Sequence, residues 1–190
     1  MLIMPQGGRI AISVPAEVSM EIIVRAKTIE TTIAINEKVN RALKAGAMAV
    51  GAKVEIIDTP GFLPLSPNEK MAKLFENNFK SLLPNESFVE HIHFKGAFDM
   101  GDVGHIIPQV HPMMGGIEGN LHQRDFTIVD EQMVYINPAK LIAMTIIDLL
   151  SNNANEAKEI IKTFQPKLSK DDYVHLLNSL SKIAVFNYFD

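Results

Sequence analysis

Val18-Ser19-Met20-Glu21-Ile22-Ile23-Val24-Arg25 is the stretch from which the fold is read. Val18, Met20, Ile22 and Val24 alternate with Ser19, Glu21, Ile23 and Arg25, so one face is wholly apolar and the other mixed, as in a half-buried strand. The period then changes. From Thr28 to Val50 the apolar positions Ile29, Ile33, Val39, Leu43, Ala47 and Val50 recur roughly every 3.6 residues, with Thr28 placed to cap, Glu30 in the first turn and Gly51 as the stop. Lys53 to Asp58 reads as a second strand, closed by Thr59-Pro60-Gly61 and Pro64. The order strand, helix, strand predicts an α/β chain; a right-handed crossover would make the two strands parallel if they share a sheet, adjacent or split.

Downstream, Ser66-Pro67-Asn68-Glu69 offers a capping Ser, a Pro at the first helical position and a Glu that can reach back to the cap. Met71, Leu74, Phe75, Phe79 and Leu82 line one face of the helix this opens, and Pro84 ends it. Phe88 to Phe94 reads as a strand. Asn137-Pro138 opens a helix whose Leu141, Ile142, Met144, Ile146, Ile147, Leu149 and Leu150 leave little polar face, which predicts burial against a sheet. Two amphipathic helices follow, Asn155 to Phe164 and, capped by Ser169, Lys170 to Ile183.

The 190 residues are 47% hydrophobic with a net charge of -4, enough apolar material for one domain or two small ones. Scattered Lys and Arg leave no electrostatic footprint for nucleic acid. With no cysteine, disulfides and thiolate metal sites are excluded, and His, Asp and Glu are the ligand types available. Met1-Leu2-Ile3-Met4-Pro5 lacks the form of a signal peptide, and the apolar-rich stretch Ala139 to Leu150 is too short to span a bilayer. The expectation is a soluble, cytoplasmic protein with no membrane partner.

The chemistry concentrates between Gly96 and Asp125, where three histidines (His105, His111, His122), three aspartates (Asp99, Asp102, Asp125) and a run of glycines occur with little hydrophobic period. His91 and His93 share one face of the predicted strand, a spacing that can hold a metal but is common without one. His105 and His175 read as packing or surface residues. His122 follows Gly115-Gly116 and Gly119-Asn120, an open backbone from which a neutral imidazole can be aimed into a cleft, with Asp125 close enough in sequence to orient it. Asp99 and Asp102 fall on one face of a helical turn, and Asp99 reads first as a helix cap.

Several ordered segments carry a family resemblance. Val14-Pro15-Ala16-Glu17-Val18 through Thr28, then Asp58-Thr59-Pro60-Gly61-Phe62-Leu63-Pro64-Leu65, Asp99-Met100-Gly101-Asp102, Pro108, His111-Pro112, Gly115-Gly116 and His122 resemble the aminoacylase and carboxypeptidase type of zinc amidohydrolase, nearest the branch of the aminobenzoyl-glutamate hydrolases. The resemblance implies a catalytic α/β domain interrupted by a ferredoxin-like α+β lid or dimerisation domain. On that plan residues 1–58 are the later part of the lid domain and 59–190 the C-terminal part of the catalytic domain.

The same resemblance implies a site with two zinc ions, a bridging carboxylate and a glutamate base, acting on N-acyl amino acids or dipeptide-like amides. His122 matches the last ligand histidine, while Gly96, Asp99 and His111 match positions that shape or face the substrate. The remaining ligands and the base have no counterpart in this chain, and one imidazole cannot retain a catalytic zinc, which needs about three protein ligands. Catalysis would therefore require an N-terminal half supplied by another chain, and a homodimer through the lid domain is implied as well. Two motifs depart from the family: Gly-Ser-Thr-Asp becomes Gly96-Ala97-Phe98-Asp99, and Asn-Val-Ile-Pro becomes Ile12-Ser13-Val14-Pro15. A Phe at position 98 would narrow or dry the pocket. The alternative expectation is a non-catalytic remnant that acts through association.

Overall fold

The structure is a computed structural model that describes residues 1–89 and 97–189. Its elements are β1 (Leu2–Gln6), β2 (Ser19–Ile22), α1 (Ile29–Ala49), β3 (Lys53–Asp58), α2 (Glu69–Leu82), α3 (Asp99–Ile106), β4 (Ile117–Glu118), β5 (Thr127–Ile128), α4 (Asn137–Thr163), α5 (Lys170–Leu180) and β6 (Lys182–Asn187). The chain forms two compact units, one from Met1–Pro64 with the segment beginning at Leu177, the other from the chain between Leu65 and Leu176. Helices and small antiparallel sheets make it a mixed α/β chain in the general sense.

In the first unit, α1 starts where its cap predicts: the Thr28 hydroxyl accepts from Thr31 N–H at 3.2 Å. It ends at Gly51, whose φ of 59° carries the chain into a left-handed turn that a side chain would disfavour. The two predicted strands do not share a sheet. β2 pairs antiparallel with β1, and β3 pairs antiparallel with β6 in the register Val54↔Phe186, Ile56↔Ala184, Ile57↔Ile183. The helix predicted to run to Ile183 stops at Leu180, because the alternating apolar residues that follow complete a ladder with β3. α1 covers the face of Val54, Ile56 and Asp58: Asn36 and Asn40 donate to the two Asp58 carboxylate oxygens at 3.0 and 2.7 Å, and the Lys44 ammonium lies over the Phe186 ring. The opposite face, with Ile57, Val185 and Ile183, is exposed.

The second unit is built on α2 and α4. Phe75, Phe79 and Leu141 form its buried centre, with Leu82, Leu83, Phe88 and Met114 packed around them and the Phe79 and Phe88 rings 5.1 Å apart. Burial of each of the three central side chains is worth about 1.5–3 kcal/mol. Asn78 donates to Thr145 Oγ1 at 3.3 Å and to Asp148 Oδ2 at 2.7 Å, which fixes the register of the two helices. Glu76, also buried, is paired with Lys73 and Lys80.

The cap of α2 is Asn68 rather than Ser66: its Oδ1 accepts from Met71 N–H at 3.0 Å. Asn68 N–H is held at 2.7 Å by the Gln109 carbonyl, so residue 68 stays extended and the helix begins after it. α4 packs on a helix, where burial against a sheet was expected, and its far side is exposed. A π-helical turn, Gln132–Ile136, precedes it. Pro138 has no N–H to return to the carbonyl four residues back, which accounts for a wider turn at this point.

By length and composition Gln132–Thr163 is a helical stretch that could cross a membrane. Its path is broken, however, where Asn152, Asn153 and Ala154 take φ values of 50°, 59° and 56° and divide α4 into the two helices the sequence predicts. The segment from Asn137 to Leu150 is about 21 Å long at 1.5 Å per residue. Beyond the break Ile160 is buried and Glu159 reaches Lys70 of α2 at 3.0 Å, so the second half runs beside the start of α2.

The accessible surface is 13906 Å². A folded monomer of this mass exposes about 9,000 Å², and two separate bodies of half the mass about 11,000 Å². Exposed apolar side chains contribute to this surface, among them Ile146, Leu150 and Ile183.

Candidate functional site

The glycine-rich stretch begins at α3. Phe98 takes the N-cap position with extended backbone and no side-chain cap bond, which makes Asp99 the first helical residue instead of the cap. The exposed Asp99 carboxylate accepts from Met100 N–H at 2.8 Å, at the helix end that favours negative charge. His111 returns to this point: its ring lies on Phe98 with centroids 4.5 Å apart. His111 is thus brought beside the start of α3, and Phe98 occupies one side of it. Gly96, the fourth candidate, lies outside the described residues, as do His91, His93 and most of the strand expected from Phe88 to Phe94.

The body of α3 is anchored from behind. His105 is buried, its Nδ1 is 2.8 Å from the Gly101 carbonyl, and its own carbonyl accepts from Lys167 and Leu168 N–H. Asp102 accepts a hydrogen bond from Tyr173, whose phenol is pushed above its ordinary range first by partial burial and then by that carboxylate. Gly104 faces the Ser66 carbonyl so closely that a Cβ would lie 2.6 Å from the oxygen. The Gln109 side chain packs against the same glycine. It is 3% exposed, and neither its Oε1 nor its Nε2 has a hydrogen-bond partner. No sequence signal singled out Gln109, a lone amide between Pro108 and Val110.

His122 sits apart from these residues, in the loop that joins β4 to β5. Gly119 opens the loop at φ 84°, with no room for a Cβ beside the Asp125 carbonyl. Asn120 donates from its amide N–H and from Nδ2 to the two Asp125 oxygens at 3.4 and 3.1 Å. Asp125 therefore closes the loop through Asn120 and is not the partner of His122 that the spacing suggested. His122 itself is exposed, with φ 64°. Left-handed backbone is uncommon outside glycine, although histidine, with Asn and Asp, adopts it more readily than other residues. Around it, Asn120, Leu121, Gln123, Arg124 and Asp125 line a shallow open depression.

The arrangement presents one imidazole free to offer a lone pair to a cation. Among the described residues no three His, Asp or Glu side chains come together to hold a metal, and no hydrogen bond or ring contact links His122 to Asp99 or His111. Among the described residues the donor set does not fit a zinc pair. The chain matches no family model, no curated protein and no solved structure.

Proposed function

We propose that the chain is the C-terminal portion of a metal-dependent amidohydrolase, acting on N-acyl amino acids or dipeptide-like amides only when a second polypeptide supplies the missing zinc ligands and general base. The observation that carries this reading is His122, exposed on a left-handed backbone within a loop closed by Asp125 and Asn120, in the position matching the last ligand histidine of the resembling family. In this reading His122 offers an imidazole to a site completed by the partner. His111 and Asp99 flank the substrate, and the Phe98 ring excludes water beside His111. Because one imidazole does not make a zinc site, no catalytic step is assigned to this chain alone.

The reading assigns residues 1–58 to a lid-type domain able to form homodimers, residues 59–190 to the catalytic domain, and the chain to the cytoplasm. The surface excess also supports a second reading, in which the chain is a catalytically silent remnant acting as an association module. Hydrolysis of an N-acyl amino acid by the chain mixed with the product of an adjacent upstream reading frame separates the two. Activity lost in His122→Ala supports the split enzyme, and inactivity of the mixture supports the remnant.

A further inference from the structure

Among the described residues, the first part of α4 has two apolar sides and packs one of them on α2. Leu141 and Thr145 are buried toward α2, and Asp148 is hydrogen-bonded to Asn78 on the same side. At 100° per residue, Ala139, Ile142, Ala143, Ile146, Ile147 and Leu150 fall within an arc of roughly 140° on the opposite side, and Tyr135 and Ile136 extend it through the preceding turn. All are exposed, Leu150 to 64%. Lys140 lies at the rim of this arc. A helix apolar around its circumference belongs in an interior.

We propose that this face of α4 is a homodimer interface, in which α4 packs antiparallel against the same helix of a second copy. The stripe is self-complementary. A two-fold axis between Ile142 and Ala143 sets Ala139 against Ile146 and Tyr135 against Leu150, small beside large, and leaves Lys140 at the solvent edge. The face is also close to the size a specific dimer needs: its eight exposed side chains, Leu150 64% and Ile147 61% exposed among them, offer roughly 700 Å² per copy, against about 800 Å² per partner in a standard specific interface. The interface is distinct from the sheet face of β3 and β6, and it does not depend on the amidohydrolase reading.

The test is the mass of the full chain by sedimentation, read with single substitutions. The native sequence has no cysteine, so Ala143→Cys places a single thiol beside the axis. The expected results are twice the monomer mass for the native chain, return to monomer mass in Ile146→Glu with the far-UV spectrum retained, and a disulfide-linked dimer from Ala143→Cys under mild oxidation. A monomeric native chain, a dimer dissociated by Ile183→Glu in place of Ile146→Glu, higher aggregates insensitive to Ile146→Glu, or Ala143→Cys that does not cross-link would each overturn it. The cross-link keeps the test decisive should Ile146→Glu fail to fold.

Discussion

The Phe98 ring stacks on the imidazole of His111, with centroids 4.5 Å apart and planes inclined by 32°. Phe98 also stands at the N-cap of α3, where it offers no oxygen to the first turn. The position therefore gives up a cap bond and gains a ring contact. Phe98→Ala loses the contact, worth about 0.5–1.5 kcal/mol beyond area, and gains nothing. Phe98→Thr recovers about 1 kcal/mol through a cap hydroxyl. Urea denaturation should rank the three proteins native, Thr, Ala, or place Thr level with the native chain; Thr no more stable than Ala would refute the cap argument.

Gly104 and Gln109 are expected to respond in opposite senses. Gly104→Ala drives a methyl into the Ser66 carbonyl and should cost about 1–3 kcal/mol. Gln109→Met removes a buried amide with both polar atoms unpartnered, so stability should stay level or rise by about 1 kcal/mol. The Asn68 bond survives that change, since it uses the Gln109 backbone carbonyl. A marked loss in Gln109→Met would mean that the amide has a partner in solution.

Positive φ at non-glycine positions sets up two further comparisons. Ala154→Gly relieves a left-handed alanine in the break of α4 and should stabilise the chain by about 0.5–1 kcal/mol. His122→Gly should likewise stabilise the β4–β5 loop while removing the proposed ligand, a gain in stability set against function. Equal or lower midpoints in thermal unfolding would show that neither backbone is strained.

Tyr173 contributes to the alkaline limb of stability. Its phenol titrates higher in the folded chain than in the unfolded one, because burial and the Asp102 carboxylate disfavour the phenolate. The folded state then holds its proton where the unfolded state has released it, so the contribution is complete below the ordinary tyrosine range near pH 10 and is lost as pH rises through the folded value. Denaturation midpoints followed above pH 9 should fall more steeply for the native chain than for Tyr173→Phe; parallel curves would contradict the assignment.

Local signals were legible in the sequence where a few neighbouring side chains decide the outcome. Thr28 caps α1, Gly51 ends it, Ser169 caps α5 through Asp172 N–H at 3.0 Å, and the helices on either side of Asn152 are separate. Choices settled by distant atoms were not legible. The Gln109 carbonyl moves the α2 cap from Ser66 to Asn68, and β6 claims β3 as an antiparallel partner from the far end of the chain. At the site, the glycines around His122 announced an open loop. Asp125 could equally have faced His122 or Asn120, and only the folded loop commits it to Asn120.

The central claim, that His122 belongs to a zinc site this chain cannot complete alone, is tested most directly by metal stoichiometry. The purified chain, equilibrated with zinc and then dialysed, should retain far less than one ion per chain. Mixed with an upstream-encoded partner it should hold zinc, and His122→Ala should release part of that metal. Retention of zinc by the isolated chain, or binding by the mixture unaffected by His122→Ala, would contradict the account.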